Sequence, residues 1–297
     1  MKHIVGFSGG IDSQATAGIV LDQFGAVDTI LMNSNAGGNE DQLTDLFVEW
    51  YSVNVHPIVR VHAILADLWD TPGFMIKAQA RDDTKISANL QGLTDDTQPL
   101  TFTGMMKLKG RPPSRTNQFC TEILKLRPQR RWIAEAFGPT GIYAGESFAR
   151  YSGVRRDESE NRKDTPDQEW DDYYDCDLFH PVASWKKTQC FEFVQSRGEQ
   201  INPLYLMGFN RVGCAPCINS GKEDILNWLL RRPEMIDKIR RMELEAGCTF
   251  FPPMVPGNTH HNTVDEVVAW AKTDWGGRQF RIIEPREGCA SKYGLCE

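Results

Sequence analysis

Two short stretches and one longer block of the 297-residue chain have the residue types and spacing that chemistry needs. The first stretch is Ser8-Gly9-Gly10-Ile11-Asp12-Ser13. It stands between an apolar run, His3 to Phe7, and a helical pattern from Ser13 that places Ile19, Val20 and Phe24 on one face and Gly25 at its end. Bare glycine amides at a helix N-terminus make an anion cradle, because N–H groups and the helix dipole converge on one spot. The second is Cys214-Ala-Pro-Cys217, a spacing that lets one turn aim both thiolates at a single zinc or iron–sulfur site. A dithiol redox pair has the same spacing, but the flanking chain does not read as a thioredoxin-like fold. The block is basic: Lys107, Lys109, Arg111, Arg115, Lys125, Arg127, Arg130 and Arg131 stand against the single acid Glu122. Clustered guanidinium and ammonium groups suit phosphate or sulfate. Asp164 to Asp177 carries seven acids and no base.

The elements that must position these groups alternate between strand and helix. Strands are expected at His3–Phe7, Thr29–Met32, His56–Ala63 and Gly141–Ala144, with a helix from about Asp41 between the second and third. This order implies an α/β, Rossmann-like parallel sheet whose ligands lie at the carboxyl ends of the strands. The loops FSGGIDS and NSNAGG, the latter holding Asn35, fall at two such ends and should share one crevice. Residues 68–113 read as an insertion or lid, and a helix is expected over Thr121–Phe137, kinked or split at Pro128. Residues 1–200 are expected to form the nucleotide-binding α/β domain. Residues 201–297 would form a loop-rich, helical region packed on it, with helix around Glu223 to Ala246 and several cysteines.

The glycine loop lacks the Lys-Ser/Thr of a Walker A loop and the G-x-G-x-x-G of a dinucleotide fold. Its S-G-G-x-D-S pattern resembles the pyrophosphate loop of the ATP pyrophosphatase superfamily; a plain helix-capping turn is the alternative. With KGRPPSRTNQFCTEILKLRP, GVRRDES and NPLYLMGFNRVGCAPCINSGKED following in order, the chain from residue 3 to about 225 resembles the phosphoadenylylsulfate (PAPS) reductase family in the broad sense. That group includes the sulfonucleotide reductases and the Dnd- and Ssp-type ATP pyrophosphatases of DNA phosphorothioation. The resemblance implies an adenine nucleotide alpha-hydrolase-like fold. It implies nucleotide binding by Ser8, Gly9, Gly10, Asp12, Ser13, Asn35, Arg155 and Arg156, and catalytic roles for Asp12, Ser13 and Lys125. It also implies ATP with Mg²⁺, and a [4Fe–4S] cluster, or zinc, held by Cys120, Cys214 and Cys217 with Cys289 or Cys296 as fourth ligand.

Two departures shape the expected activity. A single cysteine stands at the first cluster motif, since residue 119 is Phe and residue 121 is Thr. The reductases' C-terminal E-C-G-L-H is replaced by K-Y-G-L-C-E. The expected function is an ATP pyrophosphatase that adenylylates an acceptor oxygen, with a DNA backbone phosphate as candidate, for sulfur incorporation. A cysteine desulfurase would be the sulfur donor and other phosphorothioation subunits and DNA the partners. The alternatives are a PAPS or adenylylsulfate reductase that releases sulfite, and a non-catalytic nucleotide-binding subunit.

The bulk composition is 40% hydrophobic and 25% charged, with a net charge of −7. That balance argues against nonspecific coating of nucleic acid but leaves room for a local basic cleft. No apolar run is long enough to span a bilayer and the N-terminus carries no secretion pattern, so a cytoplasmic protein without membrane partners is expected. In that setting cysteines serve metal, redox or packing roles rather than disulfides. Cys176, Cys190 and Cys248 are assigned to packing, His260 and His261 to a surface loop, and Arg211 is a candidate anion holder beside the cysteine pair.

Overall fold

The computed structural model describes residues 1–69, 95, 97–114 and 118–275. Strand β1 (Lys2–Gly6) is buried along nearly its whole length, as an apolar run flanked on both sides must be. Helix α1 (Ile11–Phe24) follows at once, starting two residues before the expected Ser13 and ending at Gly25. Strand β2 (Thr29–Asn35) runs three residues past the expected Met32. Helix α2 (Gln42–Asn54) is capped by Asp41, whose Oδ1 accepts from Leu43 N at 2.7 Å. Strand β3 (Ile58–His62) completes the first half of the sheet.

The expected lid divides. Residues 70–94 lie outside the described residues. Helix α3 (Phe102–Lys109) is instead core, with Phe102, Met105, Met106 and Leu108 buried. Its apolar residues recur at helical spacing, and Thr101 and Gly110 cap its two ends. The expected break near Pro128 is a widened turn: Glu122–Leu126 is π-helical and leads directly into α4 (Arg127–Phe137). Pro128 then sits in the first turn of α4, where its missing N–H is tolerated.

Gly141–Ala144 is a turn, not the fourth strand. Tyr143 N donates to Ala136 O and Ala144 N to Gly141 O, folding the segment back on the end of α4. The fourth strand is β4 (Phe148–Tyr151). The acidic stretch contributes a hairpin, β5 (Gln168–Asp171) and β6 (Cys176–Phe179). Helices α5 (Lys187–Ser196), α6 (Lys222–Arg231), α7 (Pro233–Ala246) and α8 (Val264–Ala271) follow, so the helix expected over 223–246 is broken at Arg232.

The six-stranded sheet has the order β3-β2-β1-β4-β6-β5. All pairs are parallel except β5 with β6, which puts an antiparallel, acid-bearing strand at one edge. The chain is therefore an α/β protein with a Rossmann-like, mostly parallel sheet. Strand order reverses beside β1, with β2 on one side and β4 on the other, and the crevice at that switch point is where such sheets bind ligands. One hydrophobic cluster lies on each face of the sheet, around Val5, Leu31 and Tyr51 and around Ile4, Met32 and Ile133. A larger one packs Phe102, Phe119 and Leu124 against Trp228, Ile239, Phe250 and Val267. That core draws on both sides of residue 200, so the described C-terminal helices share their interior with the first half of the chain. Among the described residues no helix is long and apolar enough to cross a membrane.

Candidate nucleotide and thiol site

Two loops open at the switch point. In the first, after β1, the backbone turns at Gly9 with φ +76°, and a Cβ there would stand 3.2 Å from both Thr44 and Val48 of α2. The left-handed conformation favours glycine, and the space beside it is tight. Ser8 N donates to Ser13 Oγ at 3.1 Å, and the Ser13 hydroxyl donates to Gly10 O at 2.8 Å. The two serine hydroxyls lie 3.2 Å apart, and the Gly10 amide stands beside them at the start of α1. That is the donor set for a phosphate or pyrophosphate group.

Asp12 points the other way. Its Oδ1 accepts from Arg155 Nε at 2.7 Å, and Arg155 is buried, with a further ion pair to Asp157. Burial pushes the Asp12 carboxyl above the usual range, while Arg155 pulls it down. Gly153 packs so tightly here that a Cβ would lie 2.6 Å from the Asp12 carbonyl carbon. The segment after β4 is thus clamped onto the start of α1, and Asp12 and Arg155 act on the loop's shape.

The second loop, after β2, is paired to the cysteine turn. Glu40 and Cys214 form an antiparallel bridge, Asp41 N donates to Gly213 O at 3.2 Å and Ala215 N to Asn39 O at 2.8 Å. The Ala215–Pro216 peptide is cis. From the far side, the π turn inserts Lys125, whose Nζ donates to Cys214 Sγ at 3.3 Å. Ser34 at the end of β2 holds the same turn, its hydroxyl donating to Lys125 O at 3.0 Å. Negative charge at Cys214 and then at Glu40 raises the Lys125 ammonium above its ordinary value, against the effect of burial. Burial pushes the Cys120 thiol up to about 11, with Cys214 adding to it. Burial likewise raises Cys214, outweighing Lys125, and it raises Glu40. Glu40 Oε1 accepts from Ala36 N, while Oε2 is shielded from solvent with no hydrogen-bond partner among the described residues.

Cys214 and Cys217 both raise the Cys120 thiol further, and Cys217 does the same to Cys214, so the three cysteines are electrostatic neighbours. Among the described residues no group of three or more His, Cys, Asp or Glu side chains stands close enough to hold a metal ion. The donor chemistry still suits a thiolate-bound metal: soft sulfur ligands, a cation to offset their charge and an orphaned buried oxygen beside them. The ligand shell is incomplete in the described residues, and Cys289 and Cys296 lie outside them. The six described cysteines are free thiols.

The remaining sequence candidates are placed as follows. Asn35 Oδ1 accepts from Gly38 N at 2.9 Å, closing the turn after β2. Arg156 is engaged by Thr165 O and Asp167 rather than by the glycine loop. Arg211 is half exposed and 3.7 Å from Glu158. Arg115 lies outside the described residues. Cys176 and Cys190 are buried in packed clusters and Cys248 is partly buried, as their packing assignment requires. His260 is on the surface, against Glu266. Sequence reasoning gave no role to Glu40, Asn202 or Tyr205, which touch these loops from distant parts of the chain.

A mostly parallel sheet with a glycine–serine loop after its first strand, beside a lysine-paired cysteine turn, defines an α/β protein of Rossmann-like fold. The phosphoadenosine phosphosulfate reductase domain family matches residues 2–220, and the chain belongs to that family. It is 26% identical over 333 aligned residues to an uncharacterised 37.8 kDa protein of Escherichia phage 186, covering 99% of this chain and 96% of that protein. Similarity to adenosine 5'-phosphosulfate reductases is more local. That of Streptomyces coelicolor is 41% identical over 111 residues, covering 37% of this chain and 41% of the enzyme. That of Allochromatium vinosum is 31% identical over 100 residues, covering 34% and 35%. Among solved structures, the PAPS reductase of Candida auris in its phosphate complex aligns with TM-score 0.43 and 12% identity, over 73% of this chain and 83% of that one.

Proposed function

We propose that the chain is an ATP pyrophosphatase that activates an acceptor oxygen as its AMP adduct so that sulfur can replace it. The observation that carries this reading is the pairing of Lys125 with Cys214, at 3.3 Å, in a loop that neighbours the glycine–serine cradle at adjacent strand ends. Substrate anion and sulfur chemistry would then meet in one crevice.

In this reading Ser8, Gly9, Gly10 and Ser13 bind the β and γ phosphates of ATP, which arrives with its Mg²⁺. The acceptor oxygen attacks the α phosphorus, a P–O bond forms to it, and the α–β bond breaks to release pyrophosphate. Amides and hydroxyls fixed beforehand stabilise the charge that builds on the leaving group. Asp12, held by Arg155, keeps the loop in register. The terminal sulfur of a persulfide supplied by a cysteine desulfurase then bonds to the activated centre as AMP leaves with the former acceptor oxygen. A second thiol of the donor cleaves the remaining S–S bond, forming a disulfide and leaving sulfur on the acceptor. An acceptor on a DNA backbone would make DNA and other phosphorothioation subunits the partners. Cys120, Cys214 and Cys217, with Cys289 or Cys296, would hold a [4Fe–4S] cluster or zinc, which when bound supplies a sulfur-accepting or anchoring centre. Lys125 would offset the negative charge of those thiolates.

The local identity to adenosine 5'-phosphosulfate reductases favours a second reading, reduction of a sulfonucleotide with release of sulfite. One experiment separates the two. Anaerobically purified protein is assayed for pyrophosphate from ATP, with and without DNA, and for sulfite from PAPS and adenylylsulfate. Pyrophosphate release is expected. Sulfite without pyrophosphate would select the reductase, and ATP binding without turnover would leave a non-catalytic subunit.

A further inference from the structure

The segment Asn202-Pro-Leu-Tyr205 was singled out by its sequence and has no role in the mechanism above. It is buried against the glycine loop: Asn202 is 0% and Tyr205 4% exposed. Asn202 Nδ2 donates to Gly9 O at 3.1 Å and to Thr44 Oγ1 at 3.1 Å, while its Oδ1 accepts from Leu204 N. Tyr205 Oη accepts from Ile11 N at 2.9 Å. Its ring is braced edge-on by Phe191 at 5.1 Å and by Lys187 Nζ, 5.1 Å from the ring centre.

Peptide planarity gives these two contacts a consequence. A trans peptide points its carbonyl and its following N–H in opposite directions. With Gly9 O held against Asn202, Gly10 N–H is turned away from Asn202, to the side of the Ser8 hydroxyl, 3.4 Å off. With Ile11 N–H held against Tyr205, Gly10 O is turned to the opposite side, where Ser13 Oγ and Gln14 N donate to it at 2.8 and 3.0 Å. Both carbonyls of a Gly-Gly pair that could otherwise rotate freely are thereby kept off an incoming anion, and an amide is presented to it.

We propose that Asn202 and Tyr205 are positioning residues of the glycine loop, setting the direction of the Gly9 and Gly10 peptides so that both carbonyls are turned from the anion and the Gly10 N–H faces it. The ligand part of this assignment rests on the nucleotide reading above; the conformational part does not.

The test uses full-length Tyr205→Phe, which removes one oxygen and keeps the ring, and Asn202→Asp, which sets a carboxylate oxygen against Gly9 O. Hydrogen–deuterium exchange is followed at residues 8–13, with the α7 amides as reference. Exchange at Ile11 and its loop neighbours is expected to quicken about tenfold while α7 is unchanged. Unchanged loop exchange in Tyr205→Phe would overturn the proposal, and so would an equal rise throughout the chain, since that marks a general packing role. ATP titration then reads the functional part: KM or Kd for ATP should rise about tenfold with kcat altered less. Equal or tighter binding in Tyr205→Phe would overturn that part. A loosened loop in a protein whose wild type binds no ATP would leave the positioning intact and sink the nucleotide reading.

Discussion

The loop after β1 and the loop after β2 lie side by side, yet the described residues complete the hydrogen bonding of the first more fully than that of the second. Around the first, Ser13, Asn202, Tyr205 and Arg155 each donate to or accept from the turn or its first helical residues. Around the second, Asn39 Oδ1, Glu40 Oε2 and Asp41 Oδ2 are buried without hydrogen-bond partners among the described residues, next to raised thiols and a buried ammonium. Buried polar atoms are rarely left unpaired unless something else is to meet them. The contrast teaches that, among the described residues, the anion loop is preorganised by its own side-chain contacts, whereas the thiol pocket keeps buried oxygens that nothing there meets.

Breaking the pocket should have the largest effect. Cys214→Ser with Cys217→Ser is expected to remove essentially all bound iron or zinc from anaerobically purified protein, measured by elemental analysis. Full metal content in that variant would place the metal elsewhere. Lys125→Met should come next, lowering turnover by about 10- to 100-fold and also lowering the melting temperature, because Cys214 and Glu40 are left without their cation. A fully active Lys125→Met would remove the lysine from the mechanism.

On the preorganised side, effects should appear as stability. Asp12→Ala leaves the Arg155 guanidinium buried with Asp157 alone, and a loss of about 2–4 kcal/mol is expected in urea unfolding. A loss under about 0.5 kcal/mol would show that the clamp does not brace the loop. The smallest effect lies outside both loops and calibrates them. His260 first, with Thr263, holds the Glu266 carboxyl down to about 2. A depressed carboxyl stabilises the fold above its unfolded value, about 4.3, and the contribution disappears as pH falls toward the folded value. Wild type should therefore melt about 1–2 °C above Glu266→Gln at pH 7 and together with it near pH 2; a gap that persists in acid would assign the effect to something other than this charge.

How much of this could be read beforehand depended on the range of the contacts. The glycine loop, the cysteine pair and the order of the first three strands were legible, because each is a local pattern of residue types. Arg155 was legible as a member of its motif but not as the partner of Asp12, a contact across 143 positions. Asn202 and Tyr205 stood in a legible motif, but their contacts with a loop more than 190 residues away did not show, for the same reason. Gly141–Ala144 misled because an apolar tetrapeptide has no period, and closure of the turn on α4 decides it. The β5–β6 hairpin was hidden by its acids, which a solvent-facing edge strand tolerates and a buried strand would not.

The π turn before α4 has one further consequence. Arg127 N–H reaches back five positions to Glu122 O, one more than an α-helix would. Beyond it, Arg127 and Arg131 are anchored to Asp67; Cys120 stands before it and Lys125 within it. Each residue added to a regular helix turns everything beyond it by about 100°. The π turn instead takes up one extra residue within about a single turn, so the stretches on either side keep their own faces. A single-codon insertion within α4, between 127 and 131, has no widened turn to absorb it and would swing Arg131 away from Asp67. In this chain the alignment of Cys120 with the anchored arginines is stored as a phase along one helix.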